Sequence, residues 1–155
     1  MDFLTHRHHL HSLKKHIHHS DEISANSLRV FNLINDFELY KDFLPGCIAS
    51  KALNIQESSI EGMLTFSYVN QHYDLHSLNR IEQDDGLYKI YIEQITGPFE
   101  SLHGSWTIES ITDDKTRVTF SAEIESNLMM GLLLNDFILK NFINRFVESF
   151  KERAL

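Results

Sequence analysis

Seven of the ten histidines lie between positions 6 and 19, in the stretch HRHHLHSLKKHIHH. A histidine-dense tract can bind metal. These histidines lack regular ligand spacing, however, and no cysteine or carboxylate cluster stands beside them. Residues 1–14 therefore read as a weakly basic, disordered tail, with a first edge strand beginning at about Lys15 and running to Glu22. His72 and His76 are four apart, which would suit zinc on a helix. On a strand they share one face with Asp74 and Arg80, and that face reads as wet. Cys47 is the one cysteine, so no intrachain disulfide can form. It follows Pro45-Gly46 and reads as a small buried residue rather than a reactive thiol. There is no GxSxG, no Walker-type loop and no neighbouring Cys–His pair. We assign no catalytic residue and no metal site, and no cofactor is required.

What remains is the chemistry of burial. Phe66, Tyr68, Tyr73, Tyr88, Trp106 and Phe120 can project from successive strands to one inner side. Leu64, Leu75, Ile90, Ile92, Ile108, Val118 and Ile124 accompany them. A filled core and a partly unfilled apolar cavity both fit this pattern, and apolar pockets with few polar groups are the usual form of small-molecule sites. The inner polar groups, Ser67, Ser77 and Tyr88, offer little for proton transfer.

The elements that must position these side chains follow from periodicity. From Leu128 to Phe150, 14 of 23 positions are Leu, Met, Ile, Val or Phe. Polar residues recur every fourth position from Asp136 to Glu152, so Asn127–Leu155 reads as one helix of roughly 40 Å with a narrow wet stripe. Before Asp136 the segment is apolar all round. That part, Leu128–Leu134, is expected to help form a cavity mouth; Leu133 and, just beyond Asp136, Phe137 are expected to face its contents.

Upstream, Ser24 is the expected N-cap of a helix ending near Asp36, and a short turn follows at Phe37–Lys41. Pro45 then biases Leu44 towards an extended conformation. From Ile48 to Glu125 the period is two. The candidate strands are Ile48–Gln56, Ile60–Val69, His72–Gln83, Leu87–Thr96, Leu102–Ile111 and Thr116–Glu125, separated by short turns such as Asp84-Asp85-Gly86 and Gly97-Pro98. Short connectors make an antiparallel meander. The expected fold is α+β, a single domain over residues 15–155. Its curved antiparallel sheet of six to seven strands would wrap around the long C-terminal helix.

The formal net charge is −8. Residues 20–127 carry 18 acids against seven bases, while both termini are weakly positive. An acidic body argues against DNA as a partner and against broad contact with a phosphate backbone. Met1–Leu13 lacks the apolar core of a secretory signal. The longest apolar run of the C-terminal segment stops at Asn135–Asp136, short of a membrane span.

Two motifs carry a family resemblance. Phe43-Leu44-Pro45-Gly46-Cys47 and Gly97-Pro98-Phe99-x-x-Leu102-x-Gly104-x-Trp106 resemble signatures of the coenzyme Q-binding START-domain family. That family includes ribosome association toxins and is also described as oligoketide cyclase/lipid transport proteins. Ser24-Ala25, the order Phe120…Asn127-x-Leu and Phe150-x-x-Arg153-Ala154 extend the likeness over about Ile17 to Ala154. The resemblance implies a helix-grip fold enclosing an apolar tunnel. It implies a ubiquinone-like polyprenyl lipid as ligand, bound without catalysis in support of respiration. It adds Phe43, Leu44, Pro45 and Phe99 to the ligand-lining set of Leu64, Phe66, Tyr68, Tyr73, Leu75, Tyr88, Ile90, Trp106, Phe120, Leu133 and Phe137. It also implies a cytoplasmic protein in transient contact with the inner membrane surface. The alternatives it carries are a ribosome-binding inhibitor of subunit association, whose partner is the large ribosomal subunit, and a polyketide cyclase/aromatase. The acidic body, and Asn70-Gln71-His72 where the family has a more basic turn, weigh towards the lipid ligand.

Overall fold

The period-two stretches form strands close to the expected spans. A computed structural model describes residues 12–155. Its first strand, β1, spans Ser12–Ile23, so Ser12–Lys14, which the sequence assigned to the tail, belong to the domain. The rest of the histidine-rich tail lies outside the described residues. The helix α1 spans Ser27–Asn35; a 3-10 turn at Phe37–Leu39 and the one-turn helix α2, Tyr40–Phe43, follow it. Then come β2 (Cys47–Ile55), β3 (Ser59–Tyr68), β4 (Gln71–Asp84), β5 (Leu87–Thr96), β6 (Ser101–Thr112) and β7 (Lys115–Asn127). All pair antiparallel in one seven-stranded sheet, ordered β1-β7-β6-β5-β4-β3-β2.

Two sequence expectations are corrected. The cap of α1 is Asn26, not Ser24: its side chain accepts from the Leu28 N–H at 2.9 Å. Ala25 is held before the helix by a tight turn to Ile23 and by the Thr116 hydroxyl, which donates to its carbonyl at 2.7 Å. The C-terminal segment is also two helices rather than one. α3 spans Leu128–Leu133 and α4 spans Asp136–Ala154. Between them Asn135 turns extended and caps α4, accepting from the Ile138 N–H at 3.0 Å.

The strands alternate in direction, so the β3–β4 turn, the β5–β6 turn and the β7–α3 junction share one end of the sheet. α4 starts at that end, beside Lys15, whose amine lies 3.3 Å from Asp136. It finishes at the opposite end, where Arg29 of α1 donates to the carbonyls of Ala154 and Arg153 at 3.0 and 3.2 Å. These guanidinium bonds satisfy carbonyls that a helix end leaves unpaired. Nearby, the Lys151 amine and the Asp21 carboxylate of β1 pair at 2.7 Å. Burial pushes the Asp21 carboxyl up, but the bonds from Lys151 and the Glu22 N–H outweigh it and hold it below its usual value. The bond to Asp21 raises Lys151 in turn.

The β3–β4 turn places both central residues, Val69 and Asn70, at positive φ (50° and 58°). Two positive φ values make the hairpin turn that suits strand twist, and asparagine tolerates them. Valine does not, because its branched Cβ crowds the backbone there. Val69→Asn should therefore raise stability by about 1 kcal/mol, read as a higher denaturation midpoint at unchanged m-value.

The Asp21–Lys151 pair gives a pH signature. Asp21 has a lowered folded pKa, so its contribution is present above 3.8 and lost as pH falls through the lowered value. Lys151 has a raised one, so its contribution is present below 10.5 and lost as pH rises through the raised value. Asp21→Asn should cost up to about 1 kcal/mol, flat between about pH 5 and 9. The gap from wild type should close towards both extremes in chemical denaturation across pH.

Candidate functional site

A cavity of about 220 Å³ lies between the concave face of the sheet and α4. Strand alternation selects its wall. On β3 the even residues Leu64, Phe66 and Tyr68 face inward; on β4 the odd residues Tyr73, Leu75, Ser77 and Asn79 do. Ile90 and Ile92 of β5, Leu102 and Trp106 of β6, Phe120 and Ile124 of β7, and Ile17 of β1 complete the sheet side. Ile138, Leu139, Phe142, Ile143, Phe146 and Phe150 of α4 form the roof. The floor is Ile34, Phe37 and Tyr40, and Pro98, Phe99, Met130 and Leu134 stand at the mouth end.

The floor is fixed by close packing. Phe37 lies on Gly62 of β3, where a Cβ would come within 2.0 Å of the ring; only glycine leaves that space. The Tyr40 hydroxyl donates to the Ile34 carbonyl. Burial pushes that phenol well above its ordinary pKa, with Cys47 and Asp36 adding to the shift, so it stays neutral. At the mouth, Gln94 clamps the Gly97-Pro98-Phe99 turn. Its amide donates to the Phe99 carbonyl at 2.8 Å, and its oxygen accepts from the Phe99 N–H at 3.4 Å. On the roof, Phe142 and Phe146 meet Phe66 at ring distances of 5.6 and 5.7 Å and bridge helix and sheet.

The structure brings nine of the fifteen residues named as ligand-lining into this wall: Leu64, Phe66, Tyr68, Tyr73, Leu75, Ile90, Phe99, Trp106 and Phe120. Six others stand elsewhere. Leu44 is buried in the core, and Phe43 packs edge-on against Tyr40 and Phe150 with the Arg153 guanidinium 5.2 Å above it. Pro45 sits in the turn before β2. Tyr88 is buried beyond the cavity, stacked on Phe31 of α1 at 4.5 Å. Leu133 lies on α3 outside the wall, and Phe137 is 74% exposed. Phe137 shares its helical face with Lys140, Asn141, Asn144 and Glu148, which are all exposed. The mouth expectation for Leu128–Leu134 holds at Met130 and Leu134, but the roof comes from beyond Asp136. Ser67, expected inside, points to the exposed face, because inward residues on β3 are even-numbered.

Asn79 and the roof phenylalanines were missed. The α4 residues follow an i, i+3, i+4 pattern from Leu139 that could have found them. Asn79 was hidden because a polar residue on a strand reads as solvent-facing.

Cys47 is buried, and its Sγ donates to the Ala49 carbonyl at 3.4 Å. Burial pushes the thiol up to about 11, which leaves it unreactive near neutrality. His72 and His76 lie on the outer face, and His16 and His18 pair with Glu123 and Ser121 across β1 and β7. Among the described residues no group of three or more His, Cys, Asp or Glu could hold a metal ion. Among them, too, no helix is long and apolar enough to cross a membrane.

The family profile described as polyketide cyclase / dehydrase and lipid transport matches residues 23–151. The ribosome association toxin RatA of Vibrio cholerae is 25% identical over 140 residues, covering 90% of this chain and 95% of RatA. Among solved structures, the ZhuI aromatase/cyclase of Streptomyces sp. R1128 superposes with a TM-score of 0.80 at 12% identity, covering 92% of this chain and 94% of that one. A STAR-related lipid transfer protein of Xanthomonas axonopodis gives 0.74 at 13% identity, with coverage of 90% and 85%. These likenesses carry the fold: an antiparallel sheet gripping a C-terminal helix.

Proposed function

The chain belongs to the polyketide cyclase/dehydrase and lipid transport family, and on that premise we propose that it binds a polyprenyl quinone or similar elongated lipid without catalysing its conversion, in support of respiration. The observation that carries this reading is the composition of the cavity wall. Among the described residues no carboxylate, histidine, lysine, arginine or cysteine lines it, so these residues offer no acid–base pair for a cyclisation. It offers apolar contact instead, at about 0.8 kcal/mol for each CH₂ removed from water.

The mouth end suits exchange with a membrane surface. Leu128, Met129, Leu132, Phe137 and the turn residue Val69 are all exposed there. Such side chains at the rim would let a lipid pass from bilayer to cavity without crossing water. Contact of this kind fits a cytoplasmic protein that visits the inner membrane transiently.

The test is mass spectrometry of an organic extract of the purified protein, followed by addition of ubiquinone to delipidated protein. An isoprenoid lipid in the extract, or saturable binding on addition, is the expected result. If both experiments return nothing, the proposal falls.

The likeness to RatA over 90% of the chain favours a second reading, inhibition of ribosomal subunit association. The acidic body requires such a contact to be local. This reading expects co-sedimentation with large ribosomal subunits at low salt and steep loss as salt rises; no co-sedimentation at low salt would sink it.

A further inference from the structure

Ser77 and Asn79 are the only polar side chains in the cavity wall, among the described residues, that do not belong to an aromatic ring. They sit two apart on β4 and so share one face. The Ser77 hydroxyl donates to Asn79 Oδ1 at 3.0 Å. Ser77 is itself 6% exposed. Asn79 is paired in register with Ile60 on β3 and Ile92 on β5, so its neighbours across the sheet offer nothing to its amide N–H groups. With Oδ1 engaged by Ser77, Nδ2 is the free end, and no described residue accepts from it. Asn79 is half-buried, so its amide N–H groups are open to the cavity; covering them with a ligand that offers no acceptor would be costly, whereas covering a leucine at this position would not. A wall built for packing alone has no use for the pair.

We propose that Asn79, oriented by Ser77, recognises an acceptor oxygen at the buried end of the ligand, a ketone or quinone carbonyl. Asn79 lies six positions along β4 from Tyr73 at the mouth end, which is roughly 20 Å of strand. The ligand class is thus an elongated apolar molecule that enters carbonyl first and leaves its tail towards the mouth. Asn79 is a specificity residue for that carbonyl; the apolar wall supplies the rest of the affinity. This inference rests on the apolar-ligand reading above.

Trp106 is the one tryptophan of the chain and stands in the wall, so quenching of its fluorescence reports occupancy. The experiment titrates a decyl-substituted benzoquinone by this quenching and decylbenzene, which carries no oxygen, by its own shift of the melting temperature. Wild type, Asn79→Leu and Ser77→Ala are compared after thermal melts establish that each is folded. Asn79→Leu should weaken the quinone about 3- to 10-fold, the worth of one hydrogen bond, and leave decylbenzene unchanged or tighter. Ser77→Ala frees Oδ1 and lets the amide turn, so it should give a smaller loss confined to the quinone. It keeps the test open should Asn79→Leu not fold. Equal loss for both probes, or none for either, overturns the proposal. Wild type that binds decylbenzene but not the quinone overturns it and leaves the apolar-ligand reading intact. Wild type that binds neither overturns both.

Discussion

Phe150 is the contact on which the rest of the structure depends. It is buried to 1% exposure and meets the rings of Tyr40, Phe43 and Trp106 at 5.6, 5.7 and 5.7 Å, each near edge-to-face. Edge-to-face pairs contribute about 0.5–1.5 kcal/mol each beyond their area. This one side chain therefore joins the α2 turn, the middle of the sheet and the last turns of α4. Arg29 and the Lys151–Asp21 pair fasten the same end. The first turns of α4 are held differently: Leu139 packs with Leu102, Ala122 and Ile124, Phe142 meets Phe66, and Lys15 pairs with the exposed Asp136. The cavity lies between these contacts and the Phe150 anchor, where the helix's apolar face stands over the sheet.

The unfilled space has an energetic consequence. Were it closed and dry, 220 Å³ would cost about 5 kcal/mol at the penalty measured for empty apolar voids. Whole domains are stable by only about 5–15 kcal/mol. Filling the space with larger side chains would be the simple remedy, yet small gaps persist between side chains as large as Phe66, Phe120 and Trp106. An occupant that binds only the folded chain raises its stability by mass action. Any apolar occupant of this cavity and the folded state would therefore favour each other.

Much of this was legible in the sequence because the signals were periodic. The alternation from Ile48 to Glu125 gave the strands, and with it Leu64, Phe66, Tyr73, Leu75 and Trp106 on the inner face. What could not be read was depth along an inward face. Tyr88 and Ile90 are two apart on β5 and both point in, yet Ile90 lines the cavity while Tyr88 is covered by Phe31. Which of them meets the cavity depends on where α1 lands, a long-range outcome that local pattern does not contain. Phe43, Leu44 and Pro45 show the same limit: Phe43 packs on Phe150, Leu44 is buried in the core and Pro45 makes the turn before β2, so none of them reaches the wall.

The break between the two C-terminal helices is the most informative miss, because its signals were present in the residues. Asn127 and Asn135 are both good caps, and each accepts from an N–H three residues on, at 2.8 and 3.0 Å. Asn135-Asp136 in the middle of an apolar run reads equally as the start of a wet stripe, and that reading concealed a helix start. The packing decides between them. α3 must lie against β1, where Gly131 approaches so closely that a Cβ would stand 2.5 Å from Leu13 Cδ1. α4 must run along β1 to bring Lys151 to Asp21. One straight helix of that length, roughly 40 Å, would have a single axis to meet both demands. The turn at Leu134–Asn135 separates the two axes, and Met130 and Leu134 on either side of it become part of the mouth. The entrance to the cavity is therefore set by the same backbone break that lets the chain close over the sheet.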